Sequence, residues 1–384
     1  MVKVQTIAIL GATGSIGRQV KAVLGNEYQI NLVSANVNGL SLAKEYYSSS
    51  IPLTIVSNQE YKIEPNDKNN HLFSTACLSD PKTYEGIDVV VNGISGIEGV
   101  CPSFAALEAG SKLITANKET FVSAGGLFMQ RAKELGAKVG EKIIPIDSEH
   151  SAIWQCLRGE DFSSISTITL TASGGAFRDL SKEEISTKTA DFALAHPTWK
   201  MGKKVTIDSA TLMNKGFEII EAKHLFATNN VEVVIHRESL IHSVVTFNDG
   251  SSKLHFSAPD MRIPINYALT EPNRKDVENA VKTPSIYALQ NLNFAPPDYD
   301  RFPCLKICSE VAKSGSDYLG CIACAADEVA VELYLKGQLS FYGISDIISS
   351  ALSNFTSGEI TSPKDVMRIY QQVRQYILSI IGGC

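Results

Sequence analysis

The 384-residue chain is poor in cysteine and tryptophan and carries no surplus of positive charge. Its eight cysteines are too sparse for a disulfide scaffold and fit a reducing compartment. Cys384 is the last residue rather than the fourth from the end, so there is no prenylation box. Lysine and arginine number 35 against 41 acidic residues, a formal net charge of −6. The broad basic field that nucleic acid or an anionic membrane demands is therefore missing, although local pockets for small anions remain open. No stretch approaches the roughly 18 apolar residues of a membrane span. Val2 and Lys3 run straight into strand-like sequence, which leaves no room for a signal or transit segment. What is present is ordinary: 44% hydrophobic and 20% charged residues predict a folded, soluble and cytoplasmic protein. At about 150 residues per domain, the length predicts two to three domains with ample core.

Residues 1–145 alternate short apolar runs with helical patterns. Strands are predicted at Thr6-Ile7-Ala8-Ile9-Leu10, Ile30-Asn31-Leu32-Val33, Val89-Val90-Val91 and Lys112-Leu113-Ile114-Thr115, with a helix over 16–24. This is the signature of βαβ units on a parallel sheet. From about 147 the pattern changes to an α+β domain with a mostly antiparallel sheet. Residues 163–171 alternate hydroxyl and apolar side chains, 231–235 are strand-like, and Asn248-Asp249-Gly250 joins two runs as a hairpin turn. Pro272, Pro284, Pro296, Pro297 and Pro303, with Pro264 just before them, mark a linker over 271–300. Helical spacing of Ile322, Ala326, Val329 and Leu333, then helices over 346–352 and 363–381, predict a helical C-terminal domain over 301–384. No internal repeat or low-complexity segment interrupts this plan.

Gly11-Ala12-Thr13-Gly14-Ser15-Ile16-Gly17 lies between the first strand and its helix. Glycines at 11, 14 and 17 permit a tight turn and close approach of a pyrophosphate to the free amides of a helix N-terminus. The second strand ends in Ser34-Ala35-Asn36, without the carboxylate that holds the ribose 2′-hydroxyl of NAD, so NADP is favoured. Asp147 and Glu149 are two apart; in extended backbone both would share a face and reach one hard cation. In a helix over 210–222, Asn214, Lys215, Glu218 and Glu221 fall on one side, suiting a phosphate and a cation within a turn, or simply a wet face. Ser173-Gly174-Gly175 offers a hydroxyl and amides; His196 and Trp199 follow a polar stretch, 178–191, that could form a lid. Lys118 follows a strand's C-terminal end, where parallel sheets bind ligands. The spacing of Cys304 with Cys308 and of Cys321 with Cys324 suggests zinc but fits buried helix positions better.

Taken in order, the glycine turn, Ala116-Asn117-Lys118-Glu119, Pro145-Ile146-Asp147-Ser148-Glu149-His150, Ala172-Ser173-Gly174-Gly175, His196-Pro197-Thr198-Trp199-Lys200-Met201-Gly202, Asp208 through Glu218, Ile241-His242-Ser243 and Pro259-Asp260-Met261-Arg262 resemble the 1-deoxy-D-xylulose 5-phosphate reductoisomerases over the whole chain. The resemblance implies an α/β homodimer with an N-terminal Rossmann-type NADPH-binding domain (1–146), a central α+β catalytic and dimerisation domain (147–270) and a C-terminal helical bundle. It implies a metal site of Asp147, Glu149 and Glu218 for Mg2+ or Mn2+, with Co2+ as an alternative. The substrate's phosphate would meet Ser173, Ser209, Asn214 and Lys215. Its reacting end would meet Lys118, Ser148, Glu149, Glu218 and His196 under Trp199, with Lys118, Glu149 and His196 catalytic. Thr13, Gly14, Ser15, Ile16, Ala35, Asn36, Asn117, Glu119, Met201, Gly202 and Met261 would line the cofactor. Asn36 stands where some members carry a basic residue. Two other readings of the residues are a semialdehyde- or homoserine-type dehydrogenase and a nucleotide-sensing regulator; neither requires the three acids.

Overall fold

The computed structural model describes residues 4–46, 53–58, 69–72, 74–199, 201–277, 282 and 285–382. Val2, Lys3, Lys200, Pro284 and Cys384, named above, lie outside them. In chain order the elements are β1 (Gln5–Leu10), α1 (Ser15–Val23), β2 (Tyr28–Ala35), α2 (Gly39–Tyr46), β3 (Leu53–Ser57), β4 (Asn69–Leu72), β5 (Val89–Asn92), α3 (Val100–Glu108), β6 (Lys112–Thr115), α4 (Glu119–Glu134) and β7 (Ile143–Pro145). There follow α5 (Ser148–Cys156), β8 (Ile165–Ala172), α6 (Lys182–Ser186), α7 (Ala190–Ala193), α8 (Lys203–Thr211), α9 (Met213–Phe226), β9 (Val231–Ile235), β10 (Ile241–Phe247) and β11 (Ser252–Phe256). The last helices are α10 (Arg262–Thr270), α11 (Pro303–Ser314), α12 (Asp317–Leu335), α13 (Phe341–Asn354) and α14 (Pro363–Gly382).

These elements form two compact units. The first comprises Met1–Asn117, Gln130–Asp147 and Met261–Ala280; the second comprises Lys118–Met129, Ser148–Asp260 and Val281–Cys384. The first is built on a seven-stranded sheet in the order β4-β3-β2-β1-β5-β6-β7, parallel at every pairing. Its central strands carry apolar runs because helices cover both faces: Ile7 to Leu10 and Val89 to Val91 are all buried. Connections run outward from β1 on one side and from β5 on the other. The crevice beyond the carboxyl ends of β1 and β5 is therefore the switch point where such sheets bind ligands. Helix α10 packs on α1, and the Lys112 ammonium meets Glu271 at 3.3 Å.

In the second unit a four-stranded sheet runs β11-β10-β8-β9. Its β8/β10 and β10/β11 pairs are antiparallel and its β8/β9 pair parallel, the mostly antiparallel sheet expected. Gly250 turns the hairpin at φ +85°. Helix α5 packs on β10, α9 on α11, and α12 against α13 and α14. Ser340 caps α13 by accepting from the Gly343 amide at 3.0 Å, so that helix starts before the expected residue 346. Between 285 and 303 the described residues include a 3-10 turn, Ile286–Asn291, and a bridge from Ala295 to Ile235.

Two local expectations are corrected. Residues 148–149 are not extended: α5 begins at Ser148, which places Glu149 in a first turn where the helix dipole favours an acid. The predicted helix over 210–222 breaks at Leu212, whose φ of +58° is left-handed, into α8 and α9.

Candidate active site

The glycine turn behaves as its spacing demands. Gly11 has φ +71°, and a β-carbon there would approach the Gly93 carbonyl oxygen to 2.9 Å; one at Gly17 would fall 2.4 Å from the Ala12 α-carbon. Gly14 precedes α1 and no side chain caps it, so the first amides of that helix face outward from the end of β1. Thr13 and Ile16 are half-buried there, with Gly14 and Ser15 exposed. At the end of β2, Ala35 is buried and Asn36 exposed. The Asn58 amide donates to Asn36 Oδ1 at 2.9 Å, so a neutral amide pair stands where NAD enzymes place an acid. Asn117 is buried and donates to the carbonyls of Ile94 (2.9 Å) and Gly96 (2.8 Å). It braces the loop that follows β5. Met261 lies half-buried just before α10.

A buried charge cluster forms in the second unit around Glu218. Its side chain is fully buried on α9. Lys118 lies 3.3 Å from Glu218 Oε1 and donates to Asn214 Oδ1 at 2.8 Å. Lys215 approaches Glu218 Oε2 at 2.5 Å and Glu149 Oε1 at 3.3 Å, and Asn214 also donates to Glu218. Ser148 donates to Glu149 Oε2 at 2.7 Å. Lys118 and Lys215 are 7% and 5% exposed, which rules out the solvated-face reading of this stripe. Asp147 closes the first unit and is bonded directly to Ser148, two residues from Glu149.

Carboxylate oxygens beside an amide oxygen form the hard donor set that a magnesium-sized ion takes, and two ammonium groups are at hand for a phosphate. A ring nitrogen of His150 lies within 4.8 Å of a Glu218 carboxylate oxygen. His150 Nε2 donates to the Glu218 carbonyl at 3.0 Å and Nδ1 faces Glu221 at 3.5 Å, so the imidazole also braces α9.

The third group surrounds His196. Its Nδ1 accepts from the amides of Thr198 (3.0 Å) and Trp199 (2.8 Å), which leaves the ring proton on Nε2. Nε2 lies 3.1 Å from both Ser173 Oγ and Ser209 Oγ. Burial, with help from the Arg178 charge, lowers the His196 pKa to about 4, so the ring is a neutral donor near pH 7. The two serines are held together by close packing: a β-carbon on Gly175 would sit 2.5 Å from the Ser209 carbonyl. Trp199 is half-buried, its ring centroid 6.1 Å from that of His242. Glu119 is buried at the start of α4, Met201 is half-buried, and Gly202 is the exposed residue before α8.

Arg178, His150 and His242 carry no assigned role in the sequence reading, yet Arg178 donates to the Ser173 carbonyl, His242 lies beside Trp199, and His150, with Glu221, braces α9. Burial, which a single sequence does not print, is the signal that separates them from surface residues. Burial also decides the cysteines. Cys304, Cys308, Cys321 and Cys324 are buried on α11 and α12, and burial pushes each thiol pKa up, against the thiolate that zinc needs.

Comparison with known proteins follows the same blocks. Residues 7–125 match the family model described as 1-deoxy-D-xylulose 5-phosphate reductoisomerase. Residues 143–226 match that enzyme's C-terminal domain, and 256–376 match the DXP reductoisomerase C-terminal domain. The chain is 41% identical over 384 residues to the 1-deoxy-D-xylulose 5-phosphate reductoisomerase of Halalkalibacterium halodurans, covering 98% of this chain and 99% of that one. It is 39% identical to the protein of the same name from Clostridium botulinum (strain Loch Maree / Type A3), covering 97% and 98%. Among solved structures, a DOX-P reductoisomerase in complex with NADPH, fosmidomycin and magnesium superposes with a TM-score of 0.87 at 34% identity, covering 98% of each chain. The reductoisomerase from Zymomonas mobilis in complex with NADPH gives 0.86 at 33% identity, covering 98% and 99%.

Proposed function

Because the chain belongs to the 1-deoxy-D-xylulose 5-phosphate reductoisomerase family, we propose how its own residues carry that family's reaction. The enzyme converts 1-deoxy-D-xylulose 5-phosphate to 2-C-methyl-D-erythritol 4-phosphate, an isoprenoid precursor, with NADPH and a divalent metal. A carbon–carbon bond of the ketose phosphate breaks and another forms, giving an aldehyde that is reduced by one hydride and one proton.

Magnesium, held by Asp147, Glu149 and Glu218, would polarise the substrate's ketone and hydroxyl oxygens, while NADPH supplies the hydride. Lys118 carries a proton and positive charge beside Glu218, where they can meet oxygen that gains charge during the rearrangement. Ser148 orients Glu149 through its hydroxyl. Ser173, Ser209, Asn214 and Lys215 bind the phosphate. His196, neutral with its proton on Nε2, donates between the two serines at the substrate's edge. Binding energy from the phosphate, remote from the reacting carbons, orients the substrate. Closure of the segment around Trp199 excludes water and retains the aldehyde. In the cofactor site, Thr13, Gly14, Ser15 and Ile16 receive the pyrophosphate. Ala35 and Asn36 border the 2′-phosphate, and Asn117, Glu119, Met201, Gly202 and Met261 line the nicotinamide end.

We assign the protein to the cytoplasm, and we assign a homodimer with the β8–β11 sheet at its interface, the latter supported by Leu254 on edge strand β11, which is 51% exposed. Manganese or Co2+ would substitute for magnesium at the same oxygens. By function we divide the chain into a cofactor-binding part (1–146), a catalytic and dimerisation part (147–270), a linker (271–300) and a helical C-terminal part (301–384).

The observation that carries the reading is the cluster of Lys118, Asn214, Lys215 and Glu149 around the buried Glu218. The test is NADPH absorbance with 1-deoxy-D-xylulose 5-phosphate, first with a chelator and then with added Mg2+. Oxidation only after Mg2+ is expected; oxidation in excess chelator, or none in either state, would reject the reading.

A further inference from the structure

One buried ion cluster in the second unit takes no part in the chemistry above. Lys204, the second residue of α8, places its ammonium 2.6 Å from Asp208 Oδ2 and 2.6 Å from Asp327 Oδ2. Asp208 lies one turn along the same helix, and Asp327 comes from the middle of α12, 123 residues away. Both aspartates are buried, at 2% and 0% exposure, and the Lys204 ammonium also stands 5.2 Å over the Phe217 ring of α9. Burial alone would discharge this lysine, yet the two carboxylates hold its pKa well above the usual range. Buried charges of this kind cost stability unless paired, so this contact between α8 and α12 has little freedom to slide.

Helix α8 is the element that the phosphate reading depends on. It starts directly after the segment that holds His196, Trp199, Met201 and Gly202, and it ends by carrying Ser209. Ser209 Oγ shares His196 with Ser173, and its carbonyl abuts Gly175 with no room for a methyl group. A shift of α8 by a fraction of an ångström would separate the two serines. We propose that Asp327, acting through Lys204, is a positioning residue that sets the register of α8 and so holds Ser209 against Ser173 at the substrate's phosphate. This rests on the assignment of those serines to the phosphate.

The test compares wild type with Asp327→Asn, Lys204→Met and Lys204→Arg, each first checked for folding by its melting temperature. Calorimetric binding of the phosphonate fosmidomycin with Mg2+, and NADPH binding by fluorescence, are read beside KM and kcat. Asp327→Asn should weaken fosmidomycin and raise the substrate KM together by about tenfold, with kcat within about twofold and NADPH affinity unchanged. Lys204→Met should do the same more strongly, and Lys204→Arg should restore most of the loss. A folded Asp327→Asn protein with wild-type fosmidomycin affinity and KM would overturn the proposal, as would equal losses for NADPH and fosmidomycin. Failure of the phosphate assignment itself is distinguishable: Ser173→Ala and Ser209→Ala would then leave fosmidomycin binding intact in an otherwise wild-type chain.

Discussion

Neutralising Glu218 should separate chemistry from cofactor binding. Three donors converge on its carboxylate: Lys118 at 3.3 Å, Lys215 at 2.5 Å and the Asn214 amide. In Glu218→Gln the two lysines keep partners, Asn214 for Lys118 and Glu149 for Lys215. The cost to folding therefore falls at the lower end of the range for breaking a buried ion pair, about 3 kcal/mol, a few degrees in melting temperature. The cost to catalysis is larger. With Glu218 as a metal ligand, its charged oxygen is lost and the net positive charge of the cluster rises, so transition-state stabilisation should fall by about 4 kcal/mol, about a thousandfold in kcat. The glycine turn and the Asn36 edge lie in the other unit, so NADPH should bind the variant as it binds wild type. The assay pairs NADPH fluorescence titration with turnover across a range of Mg2+ concentrations. A variant within about tenfold of wild-type kcat, with an unchanged metal requirement, would refute the role given to Glu218.

Other consequences are equally concrete. Lys215→Met should raise the substrate KM by about 10- to 100-fold, the worth of one charge-assisted hydrogen bond to phosphate, with NADPH KM unaffected; steady-state kinetics decide. Asn36→Asp restores the acid that repels a 2′-phosphate, so the kcat/KM ratio of NADPH to NADH should fall by about tenfold or more when both are assayed. His242 is buried and its pKa is lowered from 6.5 to about 4, chiefly by burial. Between those values the unfolded chain binds a proton that the folded chain refuses, so this group removes stability as pH falls from 6.5 towards 4. In urea titrations, His242→Gln should therefore lose less stability than wild type between pH 7 and pH 5, by the equivalent of about one proton; an identical slope would contradict the burial argument.

How much of this was legible in the sequence follows from where each signal lives. Strands β5 and β6 are readable because a parallel strand covered on both faces is apolar along its buried stretch, here Val89 to Val91 and Leu113-Ile114. Strand β4, Asn69-Asn70-His71-Leu72, is not, since a polar run at a sheet edge is held by backbone pairing to β3 rather than by its own pattern. The acids at 147, 149 and 218 stood out by residue type, but the geometry inferred for the first two was extended, and α5 instead starts between them. The left-handed break at Leu212 has no glycine to announce it. That break directs Asn214 and Lys215 into the first turn of a new helix. The tautomer of His196 depends on two amides that only the folded turn presents. The tie between Lys204 and Asp327 spans 123 residues and leaves no local trace, although Lys204 and Asp208 at helical spacing hint at half of it.

The central claim is that Asp147, Glu149 and Glu218 share one divalent ion beside the substrate. Anomalous difference density from a crystal grown with Mn2+ and fosmidomycin tests it most directly. A single strong peak within about 2.0–2.4 Å of an oxygen from each of the three carboxylates is predicted. A peak elsewhere, or one that touches His150 in place of Glu149, would contradict it.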